Sequence, residues 1–180
     1  SEGHKVTLLT YPIGRNIRNI KPIRTAHIPG YSKTSPGFSI YKPFLDMLLW
    51  KKAKKEMKKH SYDLIYAHLH EGALIGYFLK KKFGKKLIFD SQGSLTGELE
   101  VGGTLKKKSW MSKMVSKIEK FITKQPDEII TSTVGLKQFI NNSLKINKKI
   151  TVIKDFPDKS LFNKNVKIAN FKLPKGKKIV

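Results

Sequence analysis

The chain has 180 residues, no cysteine, and 37 lysines and arginines against 13 aspartates and glutamates, a formal net charge of +24. The missing cysteines exclude a disulfide framework and any thiolate metal site, and no apolar run approaches the roughly 20 residues that span a bilayer. So strong a positive field favours anionic partners, but only Arg15, Arg18 and Arg24 are arginines. The planar guanidinium is the better bidentate reader of phosphates and bases, so no nucleic acid is expected as a partner.

Lys5 to Tyr11 reads as a buried strand, stopped by Pro12 and Gly14. Residues 12–21 read as loop, Ile23 to Ile28 as a weaker strand, and residues 30–42 as a Gly-, Pro- and Ser-containing loop. From Pro43 to Lys59 the pattern is helical. Leu45, Leu49, Ala53 and Met57 recur at every fourth position, and Pro43 suits a first turn. Asp63 to His68 is a strand and Glu71 to Phe83 a helix, with Gly84 placed to end it. Lys86 to Asp90 is a strand, 91–104 a Gly-rich polar loop, and 105–124 a helix ended by Pro126. Asp127 to Ser132 is a strand, Thr133 caps a helix running to about Leu144, and Ile150 to Ile153 is a last strand before an irregular tail. Lys177 to Val180 opens a further apolar run.

Alternating helices and mostly continuous apolar strands predict an α/β fold, a parallel sheet covered on both faces. Ligands of such sheets lie beyond the carboxyl ends of the strands. The loops after Ala67, Phe89 and Ile130 therefore carry the interest. In the first, His68, His70 and Glu71 leave a strand just before a helix, whose free N–H groups suit a sugar hydroxyl or phosphate oxygen; the alternative is a pair of ordinary core or loop histidines. His and Glu are also zinc ligands, but no third spaced ligand supports them, and no metal is expected. In the second, Gly93 and Gly97 permit close backbone approach, and Asp90, Ser91, Gln92, Ser94 and Thr96 supply short polar groups; a plain solvated loop is the alternative. Neither the Walker lysine nor the dinucleotide fingerprint is present. In the helix 105–124, Met111, Met114, Val115, Ile118, Phe121 and Ile122 form one stripe, and Lys113, Lys117, Lys120 and Lys124 the opposite one. It reads either as a helix packed on the core with a solvated lysine face, or as one docking on an anionic membrane through Lys113, Lys117 and Lys120.

Five segments in order together resemble one family. Gly3-His-Lys-Val-Thr-Leu-Leu-Thr10, Asp63-Leu-Ile-Tyr-Ala-His68 with His70-Glu-Gly72, Leu87-Ile-Phe-Asp-Ser-Gln-Gly-Ser94, Asp127-Glu-Ile-Ile-Thr-Ser132 and Ile150-Thr-Val-Ile-Lys-Asp-Phe-Pro157 are similar to successive strands of family-4-type GT-B glycosyltransferases. The resemblance covers about residues 3–163 and implies one Rossmann-like half of a GT-B fold, the N-terminal, acceptor-side domain. It assigns residues 1–163 to that domain, truncated at its start, and 164–180 to a linker and the opening of a C-terminal domain. The family's first strand and helix, expected at the sheet centre, precede the part matched here.

The implied chemistry is retaining transfer of a sugar from a nucleotide sugar to an acceptor hydroxyl, without cofactor or metal. His68 and Gln92 are implied to be catalytic, and His70, Glu71, Gly93 and Ser94 to bind substrate. The expected partners are a nucleotide sugar, held mainly by the C-terminal domain, and a sugar or lipid-linked acceptor. The expected location is the cytoplasm, with the inner membrane face as a second site. Where the family often has histidine, this chain has Gln92, which hydrogen-bonds but carries no proton; Tyr66 and Lys154-Asp155-Phe156-Pro157 depart as well. The other functional class is a basic membrane- or partner-binding module without catalysis.

Overall fold

The computed structural model describes residues 3–14, 21–28, 31 and 41–156. In chain order it holds β1 (Leu9–Thr10), β2 (Ile23–Arg24), α1 (Lys42–Lys59), β3 (Leu64–His68), α2 (Leu69–Phe83), β4 (Lys86–Ser91), α3 (Leu95–Val101), α4 (Trp110–Lys124), β5 (Glu128–Thr131), α5 (Val134–Gln138) and β6 (Ile150–Val152). Among the described residues every strand pairing is parallel. One sheet has the order β3-β4-β5-β6, and β1 pairs with β2 separately. The fold is α/β, with parallel strands flanked by helices.

Side chains alternate across the larger sheet. Ala67, Leu87, Phe89, Ile129 and Ile150 point to one side, where Ala73 of α2, Ile122 of α4 and Ile140 complete the main core. A second cluster joins Ala53 of α1 to Ile75 and Leu79 of α2, with Leu9 and Ile65 packed against it. The other face of β3 and β4 carries Leu64, Tyr66, His68, Ile88 and Asp90, and Leu64, Tyr66 and His68 are exposed. Gly76 sets the closest helix-to-sheet approach: a Cβ there would lie 2.6 Å from Leu87 Cδ1.

Several expected elements change. The strand expected from Lys5 to Tyr11 pairs only at Leu9 and Thr10, and Val6 is exposed rather than buried. Among the described residues its sole strand partner is the two-residue β2, too short to satisfy a longer backbone. The loop read over 91–104 contains α3, and the helix read over 105–124 starts at Trp110 behind the cap Ser109. Thr133 does cap α5, its hydroxyl accepting from Leu136 N at 3.1 Å. The helix then continues as one wide turn, Phe139–Ser143. Most of the 30–42 loop, and everything beyond 156 including the Lys177–Val180 run, lies outside the described residues.

Candidate functional site

Parallel pairing of β3 and β4 sets His68 opposite Asp90 at the carboxyl end of both strands. Asp90 is buried and is the hub of a cluster. Its Oδ2 accepts from Tyr66 Oη at 3.0 Å and lies 3.0 Å from His68 Nδ1, while Oδ1 accepts from Gln92 Nε2 at 2.5 Å. An ionised carboxylate only accepts, so the bond fixes the proton of His68 on Nδ1. In the neutral ring Nε2 is then an acceptor, and His68 is exposed. Burial, followed by the bond to Asp90 and its charge, pushes the Tyr66 hydroxyl up to about 12, so it stays a donor.

Leu69 follows with φ 62°, a left-handed conformation that side chains with Cβ rarely adopt. His68 before it stays on the exposed sheet face. His70 after it, in the first turn of α2, is buried against β4, edge-on to Phe89 with ring centroids 5.2 Å apart. Its Nε2 lies 3.7 Å from Glu119 Oε1. Burial holds the imidazole below its ordinary range, against the opposing charges of Glu119, Glu71 and Glu98.

Glu119, on the inner side of α4, is only 1% exposed. Its carboxylate accepts from Leu95 N at 3.0 Å, Thr96 N at 3.1 Å, Thr96 Oγ1 at 2.6 Å and Ser94 Oγ at 3.3 Å. The two amides belong to the first turn of α3, which has no internal partners for them. Ser94 adds its own cap, accepting from Gly97 N at 3.1 Å. One carboxylate from α4 thus holds the loop that follows Gln92.

Beside β1, Tyr11 donates to Asp46 of α1, and Lys42 pairs with Glu71 in the first turn of α2. Burial works against ionisation of Glu71, but the Lys42 bond, the helix backbone and the Lys42 charge outweigh it and lower its pKa. Asp46 is raised, chiefly by burial and then by the Glu71 charge, against the Tyr11 bond.

The family model described as "Glycosyltransferase Family 4" matches residues 1–158. The chain belongs to glycosyltransferase family 4. No curated protein matches it in sequence. Among solved structures, a sucrose-phosphate synthase chain from Thermosynechococcus elongatus superposes with TM-score 0.57 at 13% identity, covering 84% of this chain and 75% of that one. A longer sucrose-phosphate synthase chain from the same organism superposes with TM-score 0.62 at 15% identity, covering 87% of this chain and 38% of that one. At these identities the likeness is one of fold, and the fold is a Rossmann-like half of a GT-B enzyme.

Within the family-4 domain, residues 68–71 and 92–94 leave the same end of two adjacent strands. His68 and Gln92 meet through Asp90. Glu71 stands nearby but is tied to Lys42, and Ser94 is committed to capping α3. A Cβ at Gly93 would lie 2.2 Å from Glu98 Oε1. His70 does not line the open rim; it lies beneath it. Among the described residues, no group of three His, Asp or Glu side chains converges as a metal site.

Asp90 as hub and Glu119 as clamp escaped the sequence reading. Glu119 is the only carboxylate of α4, and it is buried beside Ser112 and Thr123 on a polar inner face. The stripe assigned to the core is therefore turned outward. Met111, Met114, Ile118 and Phe121 are exposed and adjoin Lys113, Lys117 and Lys120 instead of opposing them. Of that stripe only Ile122 is fully buried.

Proposed function

We propose that this family-4 domain is the acceptor side of a retaining glycosyltransferase, which moves a hexose from a nucleotide sugar to an acceptor hydroxyl on the cytoplasmic side of a membrane. Membership of the family supports glycosyl transfer in general. One observation carries the assignment of roles: His68, oriented by Asp90, presents an open ring nitrogen at the carboxyl rim of a parallel sheet. That nitrogen accepts a hydrogen bond from the acceptor hydroxyl and aims its oxygen at the sugar carbon. Gln92, steadied by the other Asp90 oxygen, keeps its carbonyl for a sugar hydroxyl. Gly93 and Ser94, at the turn into α3, flank the donor phosphate or sugar. His70 and Glu71 act on the acceptor through the positions they impose on His68 and α1. Donor binding falls to a second domain.

Saturation-transfer NMR of the 180-residue chain with a panel of acceptor glycosides tests the assignment. We expect weak binding that His68→Ala abolishes and Asp90→Asn reduces at least several-fold. Equal saturation transfer in the native chain and both variants would sink it. The same chain, incubated with nucleotide sugars and a bound glycoside, should form no product; turnover would refute the need for a donor domain.

A further inference from the structure

The outward side of α4 combines an exposed apolar row with a margin of lysines. Trp110, Met114, Ile118 and Phe121 follow one another at spacings of four, four and three, so they form one row along the helix. All four are exposed, Trp110 at 71%. Phe121 packs edge-on to Tyr77 of α2, and the half-exposed Phe78 beside it carries the apolar surface onto that helix. Lys113, Lys117 and Lys120 each directly precede a member of the row, and Lys124 extends the series. None of these lysines forms an ion pair among the described residues. The single carboxylate of α4, Glu119, points inward, so the outer surface of this helix carries cations and no anion.

An apolar row with an uncompensated cationic margin is complementary to an interface that is apolar below and anionic above. Lysine stems lie along such a boundary with their ammonium groups in the headgroups, and an indole with one polar edge suits the same depth. A groove of about 340 Å³ adjoins the lysine margin, lined by Lys107, Lys108 and Lys113 with the hydroxyls of Thr96 and Ser116, and with Glu100 at its wall. Its lysines outnumber its carboxylate, and Glu100 is already engaged by Ser112 Oγ. Among the described residues, no helix is long and apolar enough to cross a membrane.

We propose that α4 lies in the surface of an anionic lipid bilayer. The Trp110–Phe121 row is immersed at the headgroup boundary, and Lys113, Lys117 and Lys120, together with the groove at Lys107 and Lys108, engage lipid phosphates. α4 begins at the carboxyl end of the strands and runs back towards the start of β5, on the sheet face that α2 covers.

The test uses the whole chain in a Trp50→Phe background, so that Trp110 is the only indole, with phosphatidylcholine vesicles made with and without phosphatidylglycerol. We expect binding and a blue shift of Trp110 emission only with the anionic lipid. Lys113→Glu, Lys117→Glu and Lys120→Glu together should weaken binding by roughly 100-fold. Reversing the exposed α1 lysines in the same way, at Lys51, Lys55 and Lys58, changes the net charge equally and should weaken it far less. Met114→Ser with Ile118→Ser should abolish the blue shift. Equal losses from the two lysine sets would overturn the proposal in favour of diffuse attraction to the net charge. Binding without a shift of Trp110, or a concentration-dependent dimer that Ile118→Ser dissolves while vesicles are ignored, would overturn it as well. Circular dichroism accompanies each variant, and the emission of the chain with its native lysines tests immersion independently.

Discussion

Leu69 is one residue on which the rim depends. Its left-handed backbone costs about 1–2 kcal/mol relative to a right-handed one, and that turn is what separates an exposed His68 from a buried His70. Leu69→Val, a β-branched side chain in the same conformation, should lower stability by about 1 kcal/mol or more. Leu69→Gly removes the strain but adds about 0.5–1 kcal/mol of unfolded-chain entropy, so it should stay near native; urea denaturation of both variants reads the difference. Glu119 is the second such residue. Glu119→Gln keeps its volume but replaces one accepting oxygen with a donor facing the Leu95 and Thr96 groups. Charged hydrogen bonds contribute about 1.5–3 kcal/mol, and we expect a loss of that order in the urea midpoint, with Thr96 and Leu95 amide exchange accelerated. The placement of His68 and Gln92 at the strand ends was legible because strand-end polar residues announce themselves locally. Glu119 was not, because its partners lie in another element and helix periodicity counts only apolar positions.

At the scale of elements, glycine positions decide how closely the layers meet. The 2.6 Å approach at Gly76 means that Gly76→Ala must displace Leu87 in the main core. Overpacking of this kind costs about 1–3 kcal/mol, although alanine is the better helix former by about 1 kcal/mol; a net loss measured by thermal unfolding is the expected sign, and a gain would show that Leu87 moves freely. Strands β3 to β6 and helices α1, α2 and α5 were readable from alternation, apolar spacing and caps. The short α3 was not, because Gly97 and a polar composition disguise it and its first turn is secured by Ser94 and, from outside, by Glu119. The apolar stripe of α4 is legible in the sequence, but the core-packed one of its two readings would bury a face that is exposed. A hydrophobic row predicts burial only when another surface is available to cover it, and here α3 and the loop before it claim the polar side.

For the whole molecule, two buried groups around α2 contribute to how stability follows pH. His70 is held below its ordinary value of 6.5 by burial. The unfolded chain therefore binds a proton first, and stability present above pH 6.5 is lost as the pH falls towards the folded value. Glu71 is lowered from 4.5 despite its burial, through Lys42, and its contribution disappears only below about pH 4.5. Urea midpoints should therefore decline in two stages on acidification, and His70→Phe should remove the first stage; an unchanged profile in that variant would show that His70 is not the group responsible. The parallel α/β architecture was legible because buried parallel strands read as near-continuous apolar runs. Among the described residues, which strands pair is set between distant segments, which local patterns do not encode. α4 supplies the carboxylate that pins the Leu95 and Thr96 amides, so those protons can exchange with solvent only when α4 lifts or the turn breaks. Their exchange rates are a gauge, readable in one spectrum, of how firmly a helix beyond the next loop is seated.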